Sequence, residues 1–513
     1  MIRSDDPLPH FHGVDGRQVF FVDGLPFTAL AVEIPWWHLE YGRYQETLGA
    51  YDHLYPAAKA IGLNTLKVPI KWSMIEPERG IYDFSYIDHV KKMADDNGLK
   101  VIVGWFGHYA SGDGNLYRNL TNEMFAPLYV IEDDRTYPRA VDAQGLRHHN
   151  SASYAHAAIV RVEQAAFCAC LEHIKAIDHA SHTFIMIQVE NEIAVFGADR
   201  HNRDMWRDHS PAAERSFRDA GATDDLRFSA ESLSSQWIQP LTSAGHAVYP
   251  IPFFLNFVDG HLAEGMVGGT PGEDVVTYLA RCPDLSFIGL NYYQSSPETC
   301  TVETMRQTVR PYRTGRNILA ITETNSHRCA FTARLAFIAI GEGGAPLFAP
   351  WCLTVSYPTW HEPYVLEDGE IGNGTLELNA CYTVIQQALA PICSYAQTDQ
   401  LRVFLSPLPR HAFRDEQSMM GATVHVSGEH DGQVIVVALA SGDLVIAGYR
   451  CFVSVATEMA IWPHLQHIRV ERGEWHGWAW VPHGELFYQI DQSRQRIDMT
   501  LDVPMVVRCI FSR

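Results

Sequence analysis

Two short segments of this 513-residue chain place carboxylates where apolar runs end. Ile187-Gln-Val-Glu-Asn-Glu192 carries Glu190 and Glu192 behind Thr183-Phe-Ile-Met-Ile-Gln-Val189, and Leu319-Ala-Ile-Thr-Glu-Thr-Asn325 presents Glu323. Burying carboxylates without partners is costly, so a site that uses the charge accounts for them better than a core does. A facing pair suits cleavage of a glycosidic bond. One carboxyl protonates the leaving oxygen; the other attacks the anomeric carbon at a separation of roughly 5–5.5 Å, or activates a water at roughly 6.5–9.5 Å. If the strand continues to its end, Glu190 and Glu192 point the same way and Asn191 points elsewhere. Taken singly, a strand-end glutamate also fits an ion pair or a loop anchor, and spacing along the chain does not place Glu192 and Glu323 across one sugar ring.

The elements that must position these residues alternate up to about residue 355. Strand candidates are Phe27–Glu33, Asn64–Pro69, Leu99–Trp105, Thr183–Val189, Tyr249–Leu255, Leu285–Leu290, Asn317–Thr322 and Ala345–Trp351. Helical segments are expected at Thr47–Ala60, Tyr86–Asn97, Tyr154–Ile177, Ala230–Ala244, Gly272–Ala280, Val302–Arg313 and Ala330–Gly341, with Ala194–Thr223 a large loop or small excursion. This order implies a parallel sheet covered by helices. No Gly-x-Gly-x-x-Gly follows the first strand, so an α/β fold of the closed (β/α)8 TIM barrel type fits better than an open dinucleotide-binding sheet. C-terminal strand ends then converge on one pocket.

Beyond Pro358 the texture changes. Leu376–Ala390 reads as a helix, and Ala422–Ser427, Gln433–Leu439 and Asp443–Gly448 read as antiparallel strands, with Asp431-Gly432 and Ser441-Gly442 as turn material. The expected organisation is a catalytic barrel with its lead-in at 1–365, a linking helix region at 366–394 and a C-terminal antiparallel, β-sandwich-like accessory domain at 395–513.

Sixty acidic residues against 39 Lys and Arg give a formal net charge of -21, which disfavours nucleic acid and anionic membrane surfaces as partners. Charges interrupt every long apolar run, and the start Met1-Ile-Arg-Ser-Asp-Asp-Pro7 lacks the apolar core of a secretory signal. The 10 Cys are scattered without a paired Cys-x-x-Cys array, as expected of reduced thiols in a cytoplasmic protein. His148-His149 lacks a clear third ligand, so no metal is expected, and the two-carboxylate chemistry requires no cofactor.

Gln188-Val-Glu-Asn-Glu192, Trp72-Ser-Met-Ile-Glu-Pro-Glu-Arg-Gly80 with Tyr82-Asp-Phe84, and Glu323 together resemble clan A glycoside hydrolases, especially the beta-galactosidase-like members of families 35 and 42. The resemblance spans roughly residues 20–360, and Leu444–Tyr449 looks like the accessory β domain of a bacterial subgroup. It implies that Glu192 is the acid/base and Glu323 the nucleophile of a retaining, exo-acting enzyme that cleaves terminal β-galactosides in an oligosaccharide or other glycoside. Asn191 is implied as a ligand of a sugar hydroxyl. A tyrosine of Asn291-Tyr-Tyr293 is implied as a partner of the nucleophile, Tyr292 being favoured because it comes first after Asn291. Ala31-Val-Glu33 resembles the first-strand sugar-binding motif of family 35, although Pro35-Trp36-Trp37 follows in place of His-Tyr surroundings; that departure leaves the preference for galactose open. Trp36, His108 and Trp351 are candidates to line the sugar, Trp351 as a platform for its C–H face. The same mechanism serves a β-glucosidase, another β-hexosidase or a transglycosylase. A non-catalytic carbohydrate-binding protein need not keep both glutamates. A homo-oligomer is compatible with the chain, the β domain being one candidate interface.

Overall fold

The computed structural model describes residues 4–35, 48–107, 125–193, 195, 206–258, 273–294, 296, 299–313, 315–326, 331–354, 363–366, 368–419, 421–457, 468–491, 493–494 and 496–511. Its centre is an eight-stranded sheet of parallel pairs: β1 (Ala29–Leu30), β2 (Thr65–Lys71), β3 (Lys100–Phe106), β4 (Phe184–Val189), β5 (Phe253–Val258), β6 (Leu285–Tyr292), β7 (Ile321–Thr324) and β8 (Leu347–Phe348). Each strand pairs with its neighbour in sequence, and β8 returns to β1. The last gap, between β1 and β2, is closed by the Glu33–Lys67 bridge and by Lys67 N–H donating to Val32 O at 3.1 Å. The expected barrel is therefore present. Its strands are buried almost throughout, which is why they read as apolar runs instead of alternating ones.

Inside the barrel, Ala29, Ala31, Ile102, Ile185, Met186, Phe254, Phe287, Ala320, Leu347 and Ala349 form one cluster, and Phe20 and Val22 join it from outside. Those two belong to an N-terminal antiparallel sheet, His10–Val14, Arg17–Val22 and Leu25–Pro26, which plugs the end of the barrel remote from the polar strand ends. This plug was not anticipated. The opposite mouth is left to polar residues.

The covering helices follow local chemistry. Ser85–Asn97 stops at Gly98, whose φ of 61° is the left-handed cap that glycine adopts without penalty. The helix expected from Thr47 begins only at Leu54, two residues before Pro56, since proline is tolerated in a first turn but not farther in. The single helix expected at Ala230–Ala244 is three pieces: Asp225–Leu233, a π turn Ser234–Ile238, and Gln239–Val248 with Pro240 in its first turn. Pro240 lacks the N–H that an unbroken ladder needs. Among the described residues no helix is long and apolar enough to cross a membrane. The described cysteines are free thiols, all buried except Cys168 and Cys393.

After helices Thr375–Gln387 and Leu389–Tyr395, the chain forms a nine-stranded antiparallel sheet. Ala422–Ser427 and Gln433–Leu439 belong to one long strand, Ala422–Ala438, and Asp431-Gly432 is a bulge in it where the register jumps from Gly428 to Gln433. His430 and Asp431 take positive φ there, and Asp431 accepts the N–H of Arg410 at 2.6 Å, so the extra residues bend the strand without reversing it. Ser441-Gly442 is the true turn. The run Val434–Val437 is buried on both sides: Ile435 and Val437 join the core that surrounds the barrel, while Val434 and Val436 join the sheet's own core. At Gly341 the two pack tightly: a Cβ there would sit 2.7 Å from Val403 Cγ2.

Candidate active site

The polar ends of β4 to β7 meet in one hydrogen-bonded network. Asn256 on β5 accepts the backbone N–H of Glu192 with Oδ1 at 2.9 Å. A backbone N–H only donates, so the amide's orientation is settled and its Nδ2 faces Asn191 Oδ1 at 2.7 Å, Asn291 Oδ1 at 3.3 Å and Glu323 Oε1 at 3.1 Å. Asn291 on β6 accepts from Thr322 Oγ1 at 2.7 Å and donates from Nδ2 to Glu192 Oε1 at 2.7 Å. Asn291 is also the strand partner of Glu323. Glu192 and Glu323, 131 positions apart in the numbering (323 minus 192), thus share two asparagines.

The segment bearing Glu192 does not continue as a strand. Glu190 and Glu192 adopt φ of 68° and 43°, left-handed values that are uncommon for residues other than glycine. The twist reverses the expected facing: Asn191 reaches Asn256, whereas Glu190 turns into the protein interior, fully buried. Asn191 Oδ1 takes donors from both Gln188 and Asn256, which leaves its Nδ2 as the end able to donate outward. Glu323 is 5% exposed and Glu192 is half-buried, so one carboxyl lies deep and the other nearer the mouth.

Lys67, fully buried on β2, places Nζ 2.6 Å from Glu33 Oε2 and 3.2 Å from Glu323 Oε1. Burial pushes the Glu33 carboxyl up to about 7 against the pull of Lys67, with Glu323 adding to the rise; burial likewise opposes the charge on Lys67, but Glu33 and Glu323 more than offset it. The structure corrects the choice between the two tyrosines. Tyr293 donates to Glu323 Oε2 at 2.8 Å, while Tyr292 lies against Cys300 Sγ at 3.7 Å and Phe331. Residues alternate sides along β6, so Asn291 and Tyr293 face the pocket and Tyr292 faces the helices. Burial, with Glu323, Glu192 and Glu33 around it, holds the Tyr293 phenol far above its ordinary range, so it remains a donor. Trp351 follows β8 and sets its ring edge-on to Tyr293, centroids 6.4 Å apart; its peptide bond to Cys352 is cis. Trp36 and His108 lie outside the described residues.

A hydrogen bond to a charged group contributes about 1.5–3 kcal/mol. Tyr293→Phe is accordingly expected to lower kcat/KM on a cleaved glycoside by about 10- to 150-fold, whereas Tyr292→Phe changes it by less than about 3-fold. Steady-state kinetics of the two variants check this, and equal losses would remove the distinction.

Asn256, Lys67 and Asn291 were not singled out as partners of the glutamates, and Tyr293 was the less favoured of two tyrosines. The available signal was a polar residue inside or at the end of an otherwise apolar strand, as in Leu66-Lys-Val68 and Phe254-Leu-Asn-Phe257. The Trp72–Gly80 segment is architectural at Glu76, whose carboxylate accepts from Trp72 Nε1 and Tyr129 OH, both at 2.8 Å, and from Gly80 N–H at 2.7 Å. Among the described residues no group of three or more His, Cys, Asp or Glu is arranged to hold a metal ion.

A family model described as beta-galactosidase, of glycoside hydrolase family 42, matches residues 50–105, a stretch containing neither Glu192 nor Glu323. A search of curated protein sequences finds no match. Among solved structures, the cold-adapted beta-galactosidase from Rahnella sp. R3 is similar with a TM-score of 0.51 at 14% identity, over 72% of this chain and 58% of that one. The catalytic domain of beta-amylase from Paenibacillus polymyxa has a TM-score of 0.51 at 11% identity, over 68% of this chain and 96% of that one. The exo-beta-1,4-mannosidase from Opitutaceae bacterium strain TAV5 has a TM-score of 0.46 at 15% identity, over 72% and 61%. The chain spans about three fifths of the Rahnella and Opitutaceae proteins. At these identities the likeness is one of fold, that of the (β/α)8 glycoside hydrolases.

Proposed function

We propose that this chain is a retaining, exo-acting glycoside hydrolase that cleaves terminal β-galactosides, with Glu323 as nucleophile and Glu192 as acid/base. The observation that carries this reading is Asn291, which pairs with Glu323 across β6 and β7 while its amide donates to Glu192 Oε1 at 2.7 Å. Paired strands lie about 4.8 Å apart. Asn291 thus ties the backbone of Glu323 to the carboxyl of Glu192, the convergence on one pocket that a two-carboxylate mechanism needs; the retaining course rests on the resemblance to clan A glycoside hydrolases.

In the first step Glu323 attacks the anomeric carbon as the bond to the leaving oxygen breaks, and Glu192 gives that oxygen its proton. Asn291 donates to Oε1 of Glu192 and holds that carboxyl in place. In the second step the Glu192 carboxylate takes a proton from water, which attacks the same carbon and releases Glu323. Lys67, Asn256 and Tyr293 all donate to Glu323 and orient it for attack. Asn191 Nδ2 and Glu33 bind sugar hydroxyls, and Trp351 floors the sugar. The galactose preference rests on the matched family model. Exo action rests on the insert after β4, whose described part is anchored by Ser210 to Asp208 at 2.8 Å and by Arg207 to Asp225 at 2.6 Å.

A panel of aryl β-glycosides, with the released anomer followed by NMR, tests the proposal. The galactoside is expected to have the highest kcat/KM and to release the β-anomer first. A faster glucoside or mannoside would change the sugar and leave the mechanism standing. Initial release of the α-anomer would overturn retention, and intact substrates throughout would overturn the enzyme reading.

A further inference from the structure

Gln188 is the polar residue of β4, whose other members are Phe184, Ile185, Met186, Ile187 and Val189. Ile187 and Val189 join the core that surrounds the barrel, so Gln188 between them faces the barrel interior, where it is 0% exposed. Its strand partners are Gly104 on β3, which brings no side chain, and Phe254 on β5. Such a position suits an apolar residue, because a buried amide costs stability unless its polar atoms are bonded.

The amide nitrogen is bonded twice. Gln188 Nε2 donates to the backbone carbonyl of Glu190 at 3.1 Å and to Asn191 Oδ1 at 2.9 Å. The first bond settles which way round the amide lies, since a backbone carbonyl only accepts. Gln188 Oε1 is enclosed and has no hydrogen-bond partner among the described residues. What the amide contributes here is therefore its two N–H groups, and both go to the turn after β4.

Asn191 is held from two sides, each by a chain of bonds that starts on a backbone atom. On one side Glu190 O orients Gln188, and Gln188 donates to Asn191 Oδ1. On the other the N–H of Glu192 orients Asn256, whose Nδ2 donates to the same oxygen at 2.7 Å. A reversed Asn191 amide would set its own N–H groups against two donors. The two supports differ in one respect: Asn256 also donates to Glu323, whereas among the described residues Gln188 bonds to neither catalytic carboxyl.

We propose that Gln188 is a positioning residue for sugar recognition: anchored on the Glu190 carbonyl, it holds Asn191 with the oxygen inward and the N–H outward, so that the site offers a sugar hydroxyl a donor. This role deepens the reading of Asn191 as a sugar ligand and rests on it. Because Gln188 reaches the sugar only through Asn191, its contribution must vanish when Asn191 is gone.

A double-mutant cycle tests that dependence. Gln188→Met keeps the length of the side chain and removes both donors; kcat/KM on the best aryl β-glycoside is expected to fall about 3- to 10-fold, the scale of one neutral hydrogen bond. In the Asn191→Ala background the same change is expected to cost less than about 2-fold. Gln188→Leu, a more compact replacement, repeats both measurements. An equal loss in the two backgrounds would mean that Gln188 serves packing or the turn itself and would overturn the proposal, as would wild-type kinetics of Gln188→Met. A second readout needs no turnover. In protein labelled with 15N-asparagine, the side-chain amide signal of Asn191, assigned by its loss in Asn191→Ala, is expected to be single in wild type and to broaden or double in Gln188→Met. A signal unchanged in the variant would overturn the role of Gln188 whether or not a glycoside is cleaved, while a wild type that cleaves none defeats the reading of the two carboxyls instead.

Discussion

Glu323→Ala is expected to leave a folded protein whose kcat/KM on an aryl β-galactoside is lower by about 10⁴-fold or more, because the atom that forms the covalent bond is gone. Glu192→Ala should cost less, about 10²–10⁴-fold, the usual scale of general acid–base catalysis. That loss should shrink for a dinitrophenyl leaving group, which departs without a proton. Azide separates the roles. With Glu192→Ala it attacks the glycosyl-enzyme and gives the β-glycosyl azide; with Glu323→Ala it enters the vacated space directly and gives the α-glycosyl azide. Product analysis by NMR, with circular dichroism to verify folding, reads out both results. Wild-type rates after removal of either carboxyl would sink its assignment.

Lys67→Met should have the largest effect on stability. Its Nζ is 2.6 Å from Glu33 and 3.2 Å from Glu323, and the three side chains are almost entirely enclosed. Removing one partner from a buried ion pair costs about 3–5 kcal/mol, since the remaining charge is uncompensated. Here two carboxylates would be left facing each other. Lys67 is the group that pulls Glu33 down against burial, so its loss pushes Glu33 further up. A carboxyl raised in the fold stabilises below its unfolded value and loses that contribution as pH rises through its folded value. The deficit of the variant in urea unfolding should accordingly be larger at pH 8 than at pH 5, and Glu33→Gln in the Lys67→Met background should recover part of it. A change below about 0.5 kcal/mol would mean that Lys67 is not the counter-charge of this pocket.

The barrel was readable because its strands are buried on both faces, so that each appears as an apolar run between helix patterns, as in Leu99-Lys-Val-Ile-Val-Gly-Trp105. The N-terminal plug was not, because His10–Val14 is a short, half-exposed strand and Arg17–Val22 a short one whose buried residues are defined by what they cover. The bulge at Asp431-Gly432 carries the same residue types as a hairpin turn, and only pairing with the neighbouring strand distinguishes the two. Tyr292 and Tyr293 are identical side chains in adjacent positions. The end of β6 decides which of them faces Glu323.

The sequence by itself determined that polar residues interrupt apolar strands at Lys67, Glu190–Glu192, Asn256, Asn291 and Glu323, and that these strands alternate with helices. Local pattern encodes that much, because burial and backbone period act over a few residues. Tertiary structure decided which of those residues meet. Parallel pairing of β6 with β7 set Asn291 beside Glu323, and two left-handed residues after β4 sent Glu190 into the interior and Asn191 to Asn256. Contacts between residues tens of positions apart or more are fixed by barrel closure and by backbone angles at a strand end, and neither leaves a periodic trace along the chain.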